Sequence, residues 1–396
     1  MSLPTIDDLE VAGKRVLVRC DFNVPLKDGV ISDDMRIRAA LPTLEALLNG
    51  GARLTVCSHL GRPKGRVVDE LRLAPVGRAL GQLLGRQVDS VADVVGPEAR
   101  AASESMADIV VLENLRFEPG EEANDPAFAD ALAALADVYV DDAFGAVHRA
   151  HASVVGVAER LPSAAGNLLA DEVEKLERLL HDPSRPFVAV LGGAKVSDKL
   201  AVIGNLLDRV DAICIGGAMA FTLLVAQGHE VGRSLVERDR VSEVTDVLKD
   251  AEARGVDILL PTDVVAADAP EAGAAHETVD LSAIGDRLGV DIGPASARRF
   301  ADVIESARTV LWNGPMGIFE IDAFSEGTRE VARAVGRATG SGAYTVAGGG
   351  DSAAALRQMD MIDAVSHLST GGGASLELLE GKDLPGITVL RKEGTR

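Results

Sequence analysis

Aromatic residues are scarce in this chain: Phe, Trp and Tyr make up 3% of its 396 residues, with one tryptophan and two tyrosines. The core must therefore rest on Ala, Val, Leu and Ile, and stacked aromatic platforms for single-stranded nucleic acid are not expected. Cysteine is nearly absent. Cys20, Cys57 and Cys214 show no CxxC spacing, so they read as small core residues in a reducing compartment rather than a disulfide framework. Positive charge is in deficit, with 40 Lys and Arg against 61 Asp and Glu and a net charge of −21. So acidic a body repels nucleic acid and anionic membranes at long range, and any anionic ligand must be held by a local basic cluster. Long apolar runs are missing too. The longest uncharged stretch, Ala212 to Gly228, is broken by Gly216-Gly217 and falls short of the about 20 apolar residues of a membrane span. Met1 to Glu10 has no apolar h-region, so no secretory signal is expected, and the chain reads as a soluble cytoplasmic protein.

What remains is ordinary for a globular protein: 47% apolar and 26% charged residues, which excludes disorder. At roughly 150 residues per domain, two or three domains are expected. Short apolar runs alternate with amphipathic stretches. Strands are predicted over Arg15–Phe22, Arg53–Leu60, Asp108–Asn114 and Val138–Phe144 in the first half. In the second half they are predicted over Phe187–Leu191, Asp211–Ile215, Val256–Leu260, Thr309–Trp312 and Tyr344–Ala347. Helical patterns at Met35–Leu48, Pro126–Ala136, Ser197–Leu207 and Ser325–Ala338 lie between them. Such alternation argues for an α/β fold with parallel sheets covered by helices on both faces. A boundary is expected near residues 162–186, where a charged helical stretch ends in His181-Asp-Pro-Ser-Arg-Pro186.

The ends of the strands differ between the halves, and in doubly wound sheets ligands bind at carboxyl ends. In the first half these ends carry charge: Asp21-Phe-Asn23, Ser58-His-Leu-Gly-Arg62, Glu113-Asn-Leu-Arg116 and Asp142-Ala-Phe-Gly145 followed by His148-Arg-Ala-His151. With Arg36, these segments gather Arg62, Arg116, Arg149, His59, His148 and His151, a pocket for a small and highly charged anion. The alternatives are surface salt bridges to the surplus carboxylates, or a metal site on His148 and His151, for which no third ligand is in sight. In the second half the strand ends carry glycine: Leu191-Gly-Gly-Ala-Lys195, Ile215-Gly-Gly217, Asn313-Gly-Pro-Met-Gly317, Gly348-Gly-Gly-Asp351 and Thr370-Gly-Gly-Gly373. Glycine lets backbone N–H groups approach phosphates, often at helix N-termini. Lys195 and Lys199, four apart, are expected on one face of a starting helix, where phosphates would sit between them. Asp351 reads as an N-cap or as a Mg²⁺ carboxylate. Glu320 reads as a ribose ligand or a loop charge. There is no Walker A pattern.

In this order the segments resemble phosphoglycerate kinases. Asp21-Phe-Asn-Val-Pro-Leu26, Ser58-His-Leu-Gly-Arg-Pro63, Glu113-Asn-Leu-Arg-Phe117, Leu191-Gly-Gly-Ala-Lys-Val-Ser-Asp-Lys199, Met219-Ala-Phe-Thr222 and Ser369-Thr-Gly-Gly-Gly-Ala-Ser-Leu-Glu377 extend the likeness from about residue 15 to the C-terminus. The resemblance implies two Rossmann-like doubly wound parallel-sheet domains joined by a hinge helix. Residues 1–165 would bind phosphoglycerate, with a tail at 382–396 packing back on them. Residues 166–185 would form the linking helix, and 186–381 would bind nucleotide. It implies reversible transfer of the acyl phosphate of 1,3-bisphosphoglycerate to Mg-ADP, giving 3-phosphoglycerate and ATP, by a monomer without nucleic-acid or membrane partners. Carried over by position, Asp21, Phe22, Asn23, Arg36, His59, Leu60, Gly61, Arg62, Arg116 and Arg149 would bind the glycerate. Gly193, Lys199, Gly217, Gly289, Glu320, Gly349, Gly350, Asp351 and Ser352 would bind nucleotide, with Asp351 near the Mg²⁺. Arg36, Lys195 and Lys199 would act on the migrating phosphoryl group, and the lobes would close to exclude water. Ala146-Val147, Ala218 and Asn167-Leu-Leu-Ala-Asp171 depart from the family's usual residues without removing a charged site residue.

Two other classes compete. Gly348-Gly-Gly-Asp-Ser-Ala353 fits GxGxxA, as a dinucleotide-dependent dehydrogenase would. Such an enzyme needs an acidic ribose ligand about 20 residues further on, and neither Asp363 nor Glu377 stands in that context. A non-catalytic scaffold on the same fold would be expected to lose the site charges, and all are present.

Overall fold

The computed structural model describes residues 3–27 and 29–393. Residues 394–396 of the expected tail lie outside the described residues. Contacts divide the chain into two units, 1–174 with 383–396 and 175–382, each described here by itself. The division falls inside one continuous helix, Asn167–Leu180.

In the first unit the strands are β1 (Arg15–Arg19), a short hairpin of β2 (Leu26–Lys27) and β3 (Val30–Ile31), β4 (Arg53–Cys57), β5 (Asp89–Ser90), β6 (Ile109–Val111), β7 (Val138–Asp141) and β8 (Ser163–Ala165). Six of them form an all-parallel sheet in the order β5-β6-β4-β1-β7-β8. Val16 to Arg19 and Leu54 to Cys57 are buried on both faces, the condition that selects β-branched and aliphatic runs in parallel sheets. The helix Met35–Asn49 covers one face with Ile37, Ala40, Leu44 and Leu47. Those spacings of three and four form the helical stripe that the sequence pattern predicts, and they join Val16, Val18, Leu54 and Val56 in one core. The C-terminal helix Pro385–Glu393 belongs to this unit, where the Gly386 N–H donates to the Val147 carbonyl at 2.9 Å.

The second unit contains β9 (Phe187–Leu191), β10 (Ala212–Ile215), β11 (Asp257–Leu259), β12 (Asp263–Ala267), β13 (His276–Asp280), β14 (Leu288–Ile292), β15 (Thr309–Asn313), β16 (Tyr344–Gly348) and β17 (His367–Leu368). Its parallel sheet runs β11-β10-β9-β15-β16-β17. Counting only these six strands, the order is 3-2-1-4-5-6, that of dinucleotide-binding folds, with the switch point between β9 and β15. Helices Pro294–Ser306 and Glu326–Gly340 bring Phe300, Ile304, Val331 and Val335 against Val310 and Trp312. A separate antiparallel sheet, β13-β12-β14, is an addition that the sequence reading does not contain.

Two buried aspartates tie helices to these sheets. Asp142, just past β7, accepts the Leu168 N–H at 2.9 Å in the first turn of Asn167–Leu180. Asp291, in β14, accepts the Gly327 N–H at 2.7 Å in the first turn of Glu326–Gly340. Burial pushes each carboxyl up to about 8, against the hydrogen bonds that favour its charged form. An unfolded aspartate titrates near about 3.9, so the folded chain holds these protons more tightly. The stability they contribute is complete below about pH 4 and is lost as pH rises through about 8. Asp291→Asn, which cannot ionise, is therefore expected to flatten the fall of Tm between about pH 5 and about pH 9 relative to the unsubstituted chain. A calorimetric series with the same slope in both proteins contradicts this.

Candidate active site

Sheet order in the first unit sets the carboxyl ends of β6, β4, β1 and β7 side by side. The four charged segments that follow these strands therefore gather at one end of the sheet. After β1, the Asp21 carboxylate accepts Nη1 of Arg36 at 3.0 Å on both oxygens, and the Asn23 carbonyl accepts the same nitrogen at 3.3 Å. Arg36 keeps a third of its side chain exposed, so it is aimed but not consumed. Asn23 Oδ1 takes the Gly61 N–H at 2.9 Å, and the Ser58 hydroxyl takes the Phe22 N–H at 2.9 Å, which joins the β1 and β4 loops. Arg116 Nη1 donates to the Gly61 carbonyl at 2.8 Å, and its Nε lies 3.2 Å from a Glu122 carboxylate oxygen. Phe22 and Leu60 send their side chains into the core, and their main-chain N–H groups are taken by Ser58 and Asn114. Arg62 and Arg149 are exposed, and neither has an ion-pair partner among the described residues.

These cations feel one another. Burial lowers the His59 imidazole well below its ordinary range, and the charges of Arg19, Arg116, Arg36 and His151 add to the effect. Burial also lowers Arg116, helped by Arg19 and Arg149 and opposed by Glu122. Cationic groups that depress one another form a site whose charge an arriving anion relieves. Surface salt bridging is thus only part of the picture: Arg36 and Arg116 have carboxylate partners, and the cluster as a whole remains positive. Among the described residues no group of three His, Cys, Asp or Glu side chains is placed to hold a metal.

In the second unit a cavity of about 510 Å³ is lined by Gly193, Gly217, Phe221, Gly289, Glu320 and Asp351, among others. That volume suits a ligand the size of a nucleoside. Gly289 makes room for its floor, since a Cβ there would stand 2.1 Å from Cζ of Phe221. Gly217, at φ +66°, is pressed against the main chain of Gly193, 2.6 Å from where its Cβ would be. The N–H groups of Gly193 and Gly217 are spent on Pro315 and Met316 carbonyls at 3.1 and 2.9 Å. These glycines therefore shape a wall. The first amides of the helix Gly350–Gln358, where Gly349 holds the capping position at φ +92°, have no intrahelical acceptor.

Lys199, Gly349, Gly350 and Ser352 are not on the cavity lining; Lys199 and the main chain ahead of Gly349 are joined by Asn313, at the end of β15. Lys199 Nζ donates to Asn313 Oδ1, and Asn313 Nδ2 donates to the Gly348 carbonyl at 2.9 Å. The Gly314 N–H donates to the buried Ser352 hydroxyl at 2.7 Å. Burial lowers the Lys199 ammonium, opposed by Asp198, Asp351 and Glu380.

One expectation fails here, and one of the two readings of Asp351 falls. Lys195 and Lys199 do not share a helix face: the helix begins at Leu200, and Lys195 is an exposed loop residue. Glu237 is the cause, because its carboxylate takes both the Ser197 N–H (3.0 Å) and the Ser197 hydroxyl (2.6 Å) and holds 197–199 in a turn. Asp351 is not the N-cap; it lies one residue inside the first turn, exposed and without a hydrogen bond among the described residues.

Sequence reasoning also missed the residues that hold the loops. Asn114 takes the Leu60 N–H at 3.2 Å and returns Nδ2 to the Leu60 carbonyl at 2.8 Å, bolting the β4 and β6 loops together. Arg19, Glu237, Asn313 and Phe221 belong with it. Their partners lie tens of residues away in the chain, and only Asn114, Asn313 and Phe221 stand inside the quoted segments. Of the departures from the family pattern, Ala218 lines the cavity, while Ala146 and Val147 are buried.

Comparison with known proteins agrees along the whole chain. The family model described as phosphoglycerate kinase matches residues 6–382. A phosphoglycerate kinase of Moorella thermoacetica is 56% identical over 99% of this chain and 100% of its own length. One of Thermomicrobium roseum is 56% identical over 98% and 99%. The solved phosphoglycerate kinase of Coxiella burnetii superposes with a TM-score of 0.89 at 40% identity, covering 98% of this chain and 99% of its own. That of Pyrococcus horikoshii gives 0.87 at 32% identity, covering both chains fully. With arginines and histidines ending the strands of one sheet and glycine loops ending those of the other, the chain belongs to the phosphoglycerate kinase family and is a phosphotransferase.

Proposed function

We propose that this phosphotransferase binds the glycerate on residues 1–165, with the tail 382–396, and the nucleotide on residues 186–381, with 166–185 linking the two. The reaction is the family's: the acyl phosphate of 1,3-bisphosphoglycerate passes reversibly to Mg-ADP, giving 3-phosphoglycerate and ATP. In the reverse direction a 3-phosphoglycerate carboxylate oxygen attacks the γ-phosphorus of ATP as the bond to the β,γ-bridging oxygen breaks. A carboxylate, with a pKa of about 4, is already ionised at pH 7 and needs no general base. Catalysis then falls to positioning and charge neutralisation.

The observation that carries the reading is the segregation of chemistry: mutually depressed cations at the strand ends of one sheet, and an apolar cavity with open helix amides at those of the other. Asp21 and Asn23 orient Arg36, His59 and Arg116 take the glycerate's anionic groups, and Arg62 and Arg149 complete the grip. Gly193, Gly217, Gly289 and Glu320 border the nucleoside. The amides of Gly350, Asp351 and Ser352 face phosphate, with Gly349 setting their direction. Arg36 and Lys199 carry charge to the migrating group, and Lys195 reaches it from a loop. The exposed Asp351 carboxylate beside this helix start, without a hydrogen bond among the described residues, fits a Mg²⁺ that draws its other ligands from nucleotide phosphates and water. Such an ion would supply charge neutralisation. The enzyme is read as a cytoplasmic monomer acting on these small molecules alone.

Paired steady-state kinetics test the division. Arg62→Ala is expected to raise KM for 3-phosphoglycerate about tenfold, with KM for ATP unchanged. Gly289→Ala, whose Cβ would clash with the Phe221 ring that lines the cavity, is expected to do the reverse by about the same factor. An Arg62→Ala enzyme altered only in nucleotide affinity contradicts the assignment.

A further inference from the structure

We propose that Arg19 is a positioning residue for the transfer reaction, donating to Nδ1 of His59 and so fixing that ring in the tautomer that carries its hydrogen on Nε2. The inference rests on the reading that His59 contacts the glycerate.

Arg19 ends β1 and is fully buried. Its Nη2 stands 3.0 Å from His59 Nδ1. A guanidinium has donors only, so Nδ1 must accept and the neutral ring's hydrogen must be on Nε2. A doubly protonated ring would set two donors face to face. The groups facing His59 agree. Arg19 comes from β1, Arg36 from the helix Met35–Asn49, Arg116 from the turn after β6 and His151 from the loop after β7; each makes a charged ring less favourable.

The guanidinium has little freedom to do anything else. Its Nε donates to the Ser153 hydroxyl at 2.9 Å, and its Nη1 donates to the Cys20 carbonyl. That hydroxyl donates onward to Glu121 Oε1 at 2.6 Å, and the Ser153 N–H donates to Oε2 at 3.0 Å. Glu121 is fully buried as well. Burial favours its neutral form, yet His151, Arg19 and Ser153 hold the carboxyl below its ordinary range, so it is ionised. A buried cation and its counter-ion are thus separated by one serine. Such pairs add little to stability, whereas this one holds a donor on an imidazole at the edge of the anion cluster. With no exposed surface, Arg19 acts on the substrate through His59.

The test is ¹⁵N NMR of the histidines together with kinetics. In the unsubstituted protein His59 is expected to show a protonated Nε2 and a bare Nδ1 from about pH 6 to about pH 8. A charged ring, or a hydrogen on Nδ1, overturns the proposal without any variant being made. Arg19→Met combined with Glu121→Gln removes both buried charges together. It is expected to release His59 into mixed tautomers and to raise KM for 3-phosphoglycerate about five- to tenfold, with kcat and KM for ATP within about twofold. An unchanged His59 spectrum in that variant also overturns it. In a His59→Ala background the same pair of substitutions should add no further rise; a full additional rise means that Arg19 acts elsewhere. His59→Ala alone separates the two ideas. If it leaves KM for 3-phosphoglycerate unchanged, His59 does not hold the glycerate, and the tautomer result is judged from the spectrum by itself.

Discussion

Lys199→Ala is expected to lower kcat by about two to three orders of magnitude while the protein stays folded. The ammonium sits within hydrogen-bond reach of Asn313, which also grips the Gly348 carbonyl ahead of the open helix amides. On the proposed reading it is therefore held to meet the γ-phosphate's charge, in a setting that burial has partly stripped of water. A preorganised charge of this kind contributes most when the phosphoryl group is in flight, so the loss should appear in kcat rather than in KM for ATP. Lys199→Met keeps the apolar stem, and an equal loss in that variant assigns the effect to charge rather than bulk. Stopped-flow rates with thermal melts in parallel decide the matter; near-normal turnover in either variant refutes the role.

Arg36→Ala is expected to lower kcat by a similar factor, about a hundredfold or more. One nitrogen of the fork is held by both Asp21 oxygens and the Asn23 carbonyl, while a third of the side chain remains exposed to receive a ligand. Because the ion pair with Asp21 is partly solvated, its removal should leave the Tm nearly unchanged. Arg36→Lys should recover only part of the rate, since one ammonium must serve Asp21 and the phosphoryl oxygens together, whereas the guanidinium holds Asp21 with Nη1 and keeps its other nitrogens for the ligand. Full recovery in the lysine variant would show that a point charge suffices and that the bound geometry is irrelevant.

The two parallel sheets were legible because their strands are short aliphatic runs buried on both faces. Phe187–Leu191 and Thr309–Asn313 are buried at every position, and no amphipathic helix produces such a run so close to glycine. The antiparallel sheet was not legible. His276-Glu-Thr-Val-Asp280 is mostly exposed and carries no alternation of apolar and polar residues. Pairing with Asp263–Ala267 alone makes it a strand. Among the candidate site residues, the cations could be located from their recurrence after strands. The devices that aim them could not: Asn114 reaches across 54 residues to Leu60 and Lys199 across 114 to Asn313, and local sequence holds no trace of such partners. The same blindness produced the helix start predicted at Ser197 rather than Leu200, where Glu237, 40 residues downstream of Ser197, overrides local helix propensity. The glycine loops were found, but half of their purpose was not, since Gly217 serves the close packing of three strand ends.

The most direct measurement is a coupled spectrophotometric assay of 3-phosphoglycerate phosphorylation by ATP, run with excess Mg²⁺ and again with excess EDTA. Rapid turnover that requires both substrates and disappears on chelation is the predicted result. Absence of turnover with Mg²⁺ present, or turnover that EDTA leaves untouched, would contradict the account.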